Sequence, residues 1–265
     1  MTHRRELSPY PNGWYALAFS RELRRGRTLA RSFVGREVVL FRTASGQAAA
    51  VDAYCPHLGA HLGHGGRVEG ECLRCPFHGF RFDREGRCVE TGYGSKPPPN
   101  AVLPTWPLRE INGMLLVYHD ADGRPPTWEV PAVPAQDWSP TIHRRFVLQA
   151  HPQETTENSV DLGHFAWVHG YRTVRMLRDV VIDGAHLSTA YAARRPAPLL
   201  GRWWPAAHFD FEFETHIHGL GYSMVDVRVH GFDIRARLWV LPTPIDADRI
   251  ALRLAASGYG GAGVH

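Results

Sequence analysis

Long apolar runs are missing from this chain. None of its 265 residues lies in a stretch approaching the ~18 consecutive apolar residues of a spanning helix. The opening MTHRRELSPYPNGWYALAF has no apolar segment followed by a small-residue cleavage site, so no signal peptide is expected. Cysteine is scarce: four residues are too few for a disulfide framework in a chain of this size, which points to a cytoplasmic protein whose cysteines serve metal. No block of like charge stands out behind the formal net charge of +4. The densest basic run, RELRRGRTLAR from Arg21 to Arg31, is short and has no interleaved aromatics. It reads as a solvated face able to receive an acidic protein partner, and it speaks against nucleic acid and membrane surfaces. There is no internal repeat, and low complexity is confined to the glycine-rich last residues.

What is present describes a globular protein, with 44% apolar and 21% charged residues and room for one large or two ordinary domains. From Trp14 to about Tyr118 the chain alternates short apolar runs, such as REVVLFRT, AAAVDAY, FRFDREGRCV and INGMLLVYH, with turns such as DREG and EING. Runs of this length predict an antiparallel, all-β domain over residues 1–125. DADGRPPTWEVPAVPAQDWSP is dense in proline, lacks periodicity and reads as a linker. In residues 126–265, HRRFVLQAHPQ predicts a strand, ETTENSVDLGHFAWVHG a helix carrying Val160, Phe165 and Val168, and the remainder strands again. In HFDFEFETHI, Phe209, Phe211 and Phe213 share one face against Asp210, Glu212 and Glu214. An antiparallel sheet with a helix packed on it is the α+β solution for this second domain.

Two segments carry metal chemistry. Cys55-Pro-His57 and Cys75-Pro-Phe-His78 each leave a predicted strand, and each offers one thiolate and one imidazole. A [2Fe–2S] cluster with two cysteines on one iron and two histidines on the other needs this inventory, and neutral imidazoles raise its potential above that of an all-cysteine cluster. Glycines at 59, 63, 65, 66 and 79 let backbone approach the sulfides, while Pro56 and Pro76 stiffen the loops. The competing reading is a Cys₃His zinc site built from Cys72, Cys75, Cys55 and His57, which abandons His78. His61 and His64 read as solvent-facing or loop-supporting imidazoles.

The second segment is Asp161-Leu-Gly-His164-Phe-Ala-Trp-Val-His169. Positions 161 and 164 share a helical face, whereas His169 falls about 140° further round if the helix continues. A kink or helix end is needed for the two imidazoles to converge. Two histidines and a carboxylate form the facial triad of non-haem Fe(II) oxygenases, which leaves positions open for O₂.

The stretch from NGWYALAF to LLVYH, with CPHLGAHLG and CPFHGFRFD inside it, resembles the Rieske domain. Together with PQETTENSVDLGHF it makes the whole chain similar to the large (alpha) subunit of Rieske non-haem iron oxygenases, in the branch of 3-ketosteroid 9α-hydroxylase oxygenases and cholesterol 7-desaturases. The resemblance implies a [2Fe–2S] cluster on Cys55, His57, Cys75 and His78 and a mononuclear Fe(II) on His164 and His169. It implies that Asp161 bridges by hydrogen bonds from His78 to an iron-binding histidine, across subunits of a head-to-tail homotrimer. It further implies monooxygenase or desaturase activity of a helix-grip-like catalytic domain on a hydrophobic, steroid-like substrate. Electrons would come from an NAD(P)H-dependent flavin or iron–sulfur reductase. A cavity between sheet and helix, lined by Phe165, Trp167 and strand aromatics, is expected to hold the substrate.

One departure stands out. The family's carboxylate ligand lies on a helix well downstream, and here no acidic residue follows Asp248. Four readings stay open: a truncated or frameshifted product, substitution by a sheet carboxylate such as Asp226 or Asp233, completion by water or a partner, and the absence of any mononuclear iron. In the last case the chain is an electron-transfer or binding protein with a degenerate second domain.

Overall fold

The computed structural model describes residues 7–196, 208–232 and 234–260. The chain divides into one unit of Met1–Glu129 with Pro244–Asp248, and a second of Val130–Thr243 with Arg249–His265. No helix among the described residues is long and apolar enough to cross a membrane.

The first unit contains Gly13–Phe19 (β1), Thr28–Phe33 (β2), Arg36–Arg42 (β3), Ala48–Asp52 (β4), Arg67–Glu69 (β5), Cys72–Arg74 (β6), Arg81–Phe82 (β7), Cys88–Glu90 (β8), Thr105–Trp106 (β9), Leu108–Ile111 (β10) and Met114–His119 (β11). They form three small sheets of order β1-β11-β10, β2-β3-β4-β9 and β5-β6-β7-β8. The unbroken apolar VVLF of β3 has a physical cause: the strand is covered on both faces. Val38 and Leu40 face a core with Tyr15, Leu17, Phe33, Leu115 and Val117. Val39 and Phe41 face the other way, into a core with Leu62, Leu73, Phe80, Phe82 and Leu103. That second core also contains Cys55 and Cys75, so the first metal constellation sits at its rim.

The second unit contains Ile142–Gln149 (β12), two short helices at Pro152–Glu157 (α1) and Leu162–Trp167 (α2), Arg172–Asp183 (β13), His186–Pro196 (β14), His208–His218 (β15), Tyr222–Val229 (β16), Ile234–Pro244 (β17) and Arg249–Gly258 (β18). The strands make one seven-stranded sheet of order β12-β18-β17-β16-β15-β14-β13. This is the antiparallel sheet with helix packing expected from the alternation. One face is apolar: Tyr191 opposes Phe213, Phe213 opposes Val227, and Val225 opposes Leu238 across the ladders. The other face carries cross-strand ion pairs, Arg194 with Asp210, Arg178 with Glu214 and Arg237 with Asp226. Arg237 also lies over the Trp138 ring, 4.2 Å from its centroid.

The single helix expected over ETTENSVDLGHFAWVHG is in fact two. His151 caps α1, with Nδ1 accepting from the Gln153 N–H and Glu154 answering at the His151 N–H. Turns through Ser159 and Val160 then break the chain, and Asp161 begins α2 as its N-cap, accepting from the Gly163 N–H at 2.8 Å. An aspartate satisfies free helical N–H groups better than it sits inside a helix, so it starts a new one.

Candidate metal centres

The two loops of the first constellation have matching backbone frames. In one, the Gly59 N–H donates to the Cys55 carbonyl and the Cys55 N–H to the Ala60 carbonyl; in the other, Gly79 and Phe80 do the same for Cys75. Gly59 and Gly79 have φ of +71° and +69°, which an L side chain strains to adopt. One loop spends three residues between cysteine and glycine as Pro-His-Leu, the other as Pro-Phe-His. The shared frame therefore brings the cysteines together at its root and the histidines at its tip.

Both cysteines are 3% exposed, and their thiols face each other. The His57 and His78 rings lie 4.8 Å apart by centroid, nearer the surface. Two sulfurs inside and two imidazoles outside match a two-iron cluster with Cys₂ and His₂ ends. Among the described residues, no group of three or more His, Cys, Asp or Glu converges on one point, which a Cys₃His zinc site requires. Cys72 stands apart, its surroundings being Arg81, Asp83 and Glu71. Burial pushes the Cys55 thiol up to about 11, so the bare site holds protons that a metal must displace.

Three residues around this site were missed in the sequence. Phe80 stacks on His57 at 4.6 Å, and the Tyr93 ring lies 5.9 Å from that of His78. Gly92 lies so close to the second loop that a Cβ there would stand 1.9 Å from the His78 carbonyl oxygen. The segment TGYG held the only local signal, a glycine pair about an aromatic, and that is too common to single out. His61 supports the first loop by accepting the Gly63 N–H at Nδ1, with Nε2 3.5 Å from Glu37. The His64 ring packs on it at 4.1 Å. In the Arg21–Arg31 run, Arg31 pairs with Glu22 at 2.9 Å.

In the second constellation the helix end needed for convergence is present. Helix α2 closes with Val168 donating to the His164 carbonyl and Tyr171 to the Phe165 carbonyl, and Gly170 takes φ +67°. His169 thereby swings back until its Nε2 is 3.0 Å from Nε2 of His164. Two nitrogens each ~2.1 Å from one ion at ~90° lie ~3.0 Å apart, so the pair has the bite of two ligands on one metal. Burial, with smaller contributions from His164 and Arg195, lowers the pKa of His169 and favours the neutral, ligating form. Phe165 anchors the helix, its ring 5.3 Å from Tyr191 and 5.8 Å from Phe213.

Both histidines open into a cavity of about 1160 Å³ on the apolar face of the sheet, lined also by Phe165, Phe146, Phe213 and Leu238. Trp167 does not join them: it is 91% exposed and points away from the sheet, because α2 turns Phe165 inward instead. No Asp or Glu lines the cavity among the described residues. Asp226 lies on the opposite face, 2.8 Å from Arg237, and is corrected from candidate ligand to structural ion pair. Asp233 lies outside the described residues.

Comparison with known proteins adds independent findings. Residues 13–107 match the Rieske [2Fe-2S] domain, and residues 117–258 match the 3-ketosteroid 9alpha-hydroxylase C-terminal domain. The chain is 36% identical over 211 residues to cholesterol 7-desaturase nvd 1 of Ciona intestinalis, covering 78% of this chain and 41% of that one. It is 36% identical over 166 residues to the probable 3-ketosteroid-9-alpha-monooxygenase, oxygenase component, of Rhodococcus rhodochrous, covering 60% of this chain and 41% of the relative. The chain thus spans about two fifths of the length of these curated relatives. Its fold is that of dicamba monooxygenase solved with dicamba, at a TM-score of 0.74, 21% identity, and coverage of 94% of this chain and 77% of that one. The cysteine–histidine loops fall inside the first matched domain and the histidine pair inside the second, and the chain belongs to the Rieske non-haem iron oxygenases, in the branch of 3-ketosteroid 9α-hydroxylases and cholesterol 7-desaturases.

Proposed function

We propose that this chain acts as the oxygenase component of a multicomponent hydroxylase or desaturase working in the cytoplasm on a hydrophobic, steroid-like molecule. Cys55, His57, Cys75 and His78 would hold the [2Fe–2S] cluster, and His164 and His169 a mononuclear Fe(II). When bound, the cluster supplies electrons singly and the iron supplies the position for O₂. The chain's own residues do the rest. Buried thiols and outward imidazoles make the His57–His78 edge the side for electron entry and exit. Phe165, Phe213 and Leu238 form an apolar wall that keeps water from the histidine pair. Asp161 spends Oδ1 on the Gly163 N–H. Its other oxygen is the proposed hydrogen-bond bridge to His78 of the partner subunit in a head-to-tail homotrimer, and it orients the iron-binding imidazole. An NAD(P)H-dependent flavin or iron–sulfur reductase is the proposed electron source, docking by acidic groups on the Arg21–Arg31 run.

The observation that carries this reading is the 3.0 Å approach of His164 and His169 at the wall of an apolar cavity. The test is O₂ uptake and product formation by iron- and sulfide-reconstituted protein with a reductase, NADH and a 3-ketosteroid. Substrate-dependent uptake supports the proposal. A second reading, an electron carrier, is favoured by the lack of a carboxylate along the cavity among the described residues. It predicts a reducible cluster without substrate-dependent O₂ uptake.

A further inference from the structure

Resting on the proposed function, we infer that the cavity takes an elongated apolar molecule ending in a carboxylate, and that Arg144 reads this acidic end. Arg144 lines the cavity on β12, between Ile142 and Phe146 of the same strand face. Across the ladder it opposes Leu254, with Ala256 and Leu252 on either side. Its guanidinium thus stands at the edge of an apolar surface, where a charge acts more strongly than in open water.

Among the described residues, Arg144 is the one Arg, Lys, Asp or Glu that lines this cavity. Arg178, Arg194 and Arg237 are paired with Glu214, Asp210 and Asp226 on the opposite face. The Arg144 side chain has no ion-pair or hydrogen-bond partner among the described residues, and no described Asp or Glu shares the cavity wall. The cavity therefore offers a planar two-pronged donor with no carboxylate beside it among the described lining residues, the group best matched to a ligand carboxylate. An amine-bearing ligand would meet like charge at Arg144 and no carboxylate to offset it among the described lining residues.

The topology sets where the acid must lie on the ligand. Phe165, which follows His164 on α2, packs on Phe213 of β15, and from β12 to β15 the order β12-β18-β17-β16-β15 makes four steps. At ~4.8 Å per strand this is ~19 Å along the sheet. The carboxylate belongs at the end remote from the carbon to be oxidised, separated from it by a long apolar body.

Calorimetric titration with cholanoic acid and with its methyl ester, at a pH where the acid is ionised, tests this on wild type, Arg144→Met and Arg144→Lys. Arg144 is exposed, and unchanged circular dichroism and melting verify the variants' fold. Wild type should bind the acid roughly tenfold tighter than the ester, the lower range for a charge-assisted hydrogen bond. Arg144→Met should erase that ratio while keeping ester affinity, and Arg144→Lys should keep part of it. Equal binding of acid and ester by wild type, or an unchanged ratio in Arg144→Met, overturns the inference and leaves Arg144 as a charge guarding an edge strand. If neither compound binds wild type, the cavity reading falls as well, and surviving ester binding distinguishes the two failures.

Discussion

Nε2 of His164 and Nε2 of His169 lie 3.0 Å apart, although a continuous helix would point the two rings in different directions. The approach exists because α2 ends at Trp167 and Gly170 turns the chain back. His169→Ala should lose the mononuclear iron while the cluster's electron paramagnetic resonance signal persists. Gly170→Ala should weaken iron binding without touching a ligand, since alanine at φ +67° costs about 1 kcal/mol. Iron content per cluster is the measurement.

Gly92 and His78 make a second prediction. A methyl group at residue 92 would stand 1.9 Å from the His78 carbonyl oxygen, so the second loop has to move. Gly92→Ala should destabilise the first unit by about 1–3 kcal/mol, the range for overpacking. It should also shift or bleach the cluster's visible absorption, which a change far from the loops would not do.

Phe165 and Trp167 are both aromatic, two residues apart, and opposite in role. Phe165→Ala should cost about 2–3 kcal/mol, since the ring packs between Tyr191 and Phe213 and its loss undocks α2. Trp167→Ala should stay within ~0.5 kcal/mol, because the indole is 91% exposed. Denaturant melts of the two variants give the comparison.

His218 predicts acid sensitivity. It is 9% exposed, parallel to His186 at 4.5 Å, and that ring exchanges a 3.2 Å N–H···N bond with His216. Burial first, then the neighbouring histidines, hold its pKa down to about 4, against an ordinary 6.5. The unfolded chain takes up a proton that the folded one refuses, so this stability is complete above pH ~6.5 and falls as the pH drops toward 4. The loss should approach ~3 kcal/mol. Urea melts between pH 7 and 4 should show a flatter dependence in His218→Gln, and parallel curves for the two proteins would refute the assignment. Arg178, Asp183, Glu214 and Tyr222 surround the cluster, and only the difference between the two curves isolates His218.

Asp226 and Arg237 form an ion pair at 2.8 Å on the face away from the cavity. Asp226→Asn should leave the iron content unchanged. It should cost about 1 kcal/mol, because Arg237 keeps the Pro134 carbonyl and the Trp138 ring as partners. Metal analysis beside a thermal melt separates the two readings of this carboxylate.

Much of this protein was legible in its residues because the signals are local. A C-x-H and a C-x-x-H on glycine-bearing loops offer the donor set that a Cys₂His₂ two-iron cluster needs, and alternation in HFDFEFETHI separates an apolar from a charged face without reference to any neighbour. The step from His164 to His169 even announced that a helix must end between them. Tertiary structure decided what chain spacing leaves undetermined. Gly92 meets His78 only because a turn beyond β8 folds onto the second loop. Asp226 faces Arg237 and not iron because strand pairing put it on the outer face. Arg144 finds apolar neighbours because β12, the first strand of the unit, pairs with β18, the last. Covalent spacing and side-chain alternation are properties of a segment. Proximity across the fold depends on register between segments far apart in sequence, and it is settled only when they pair.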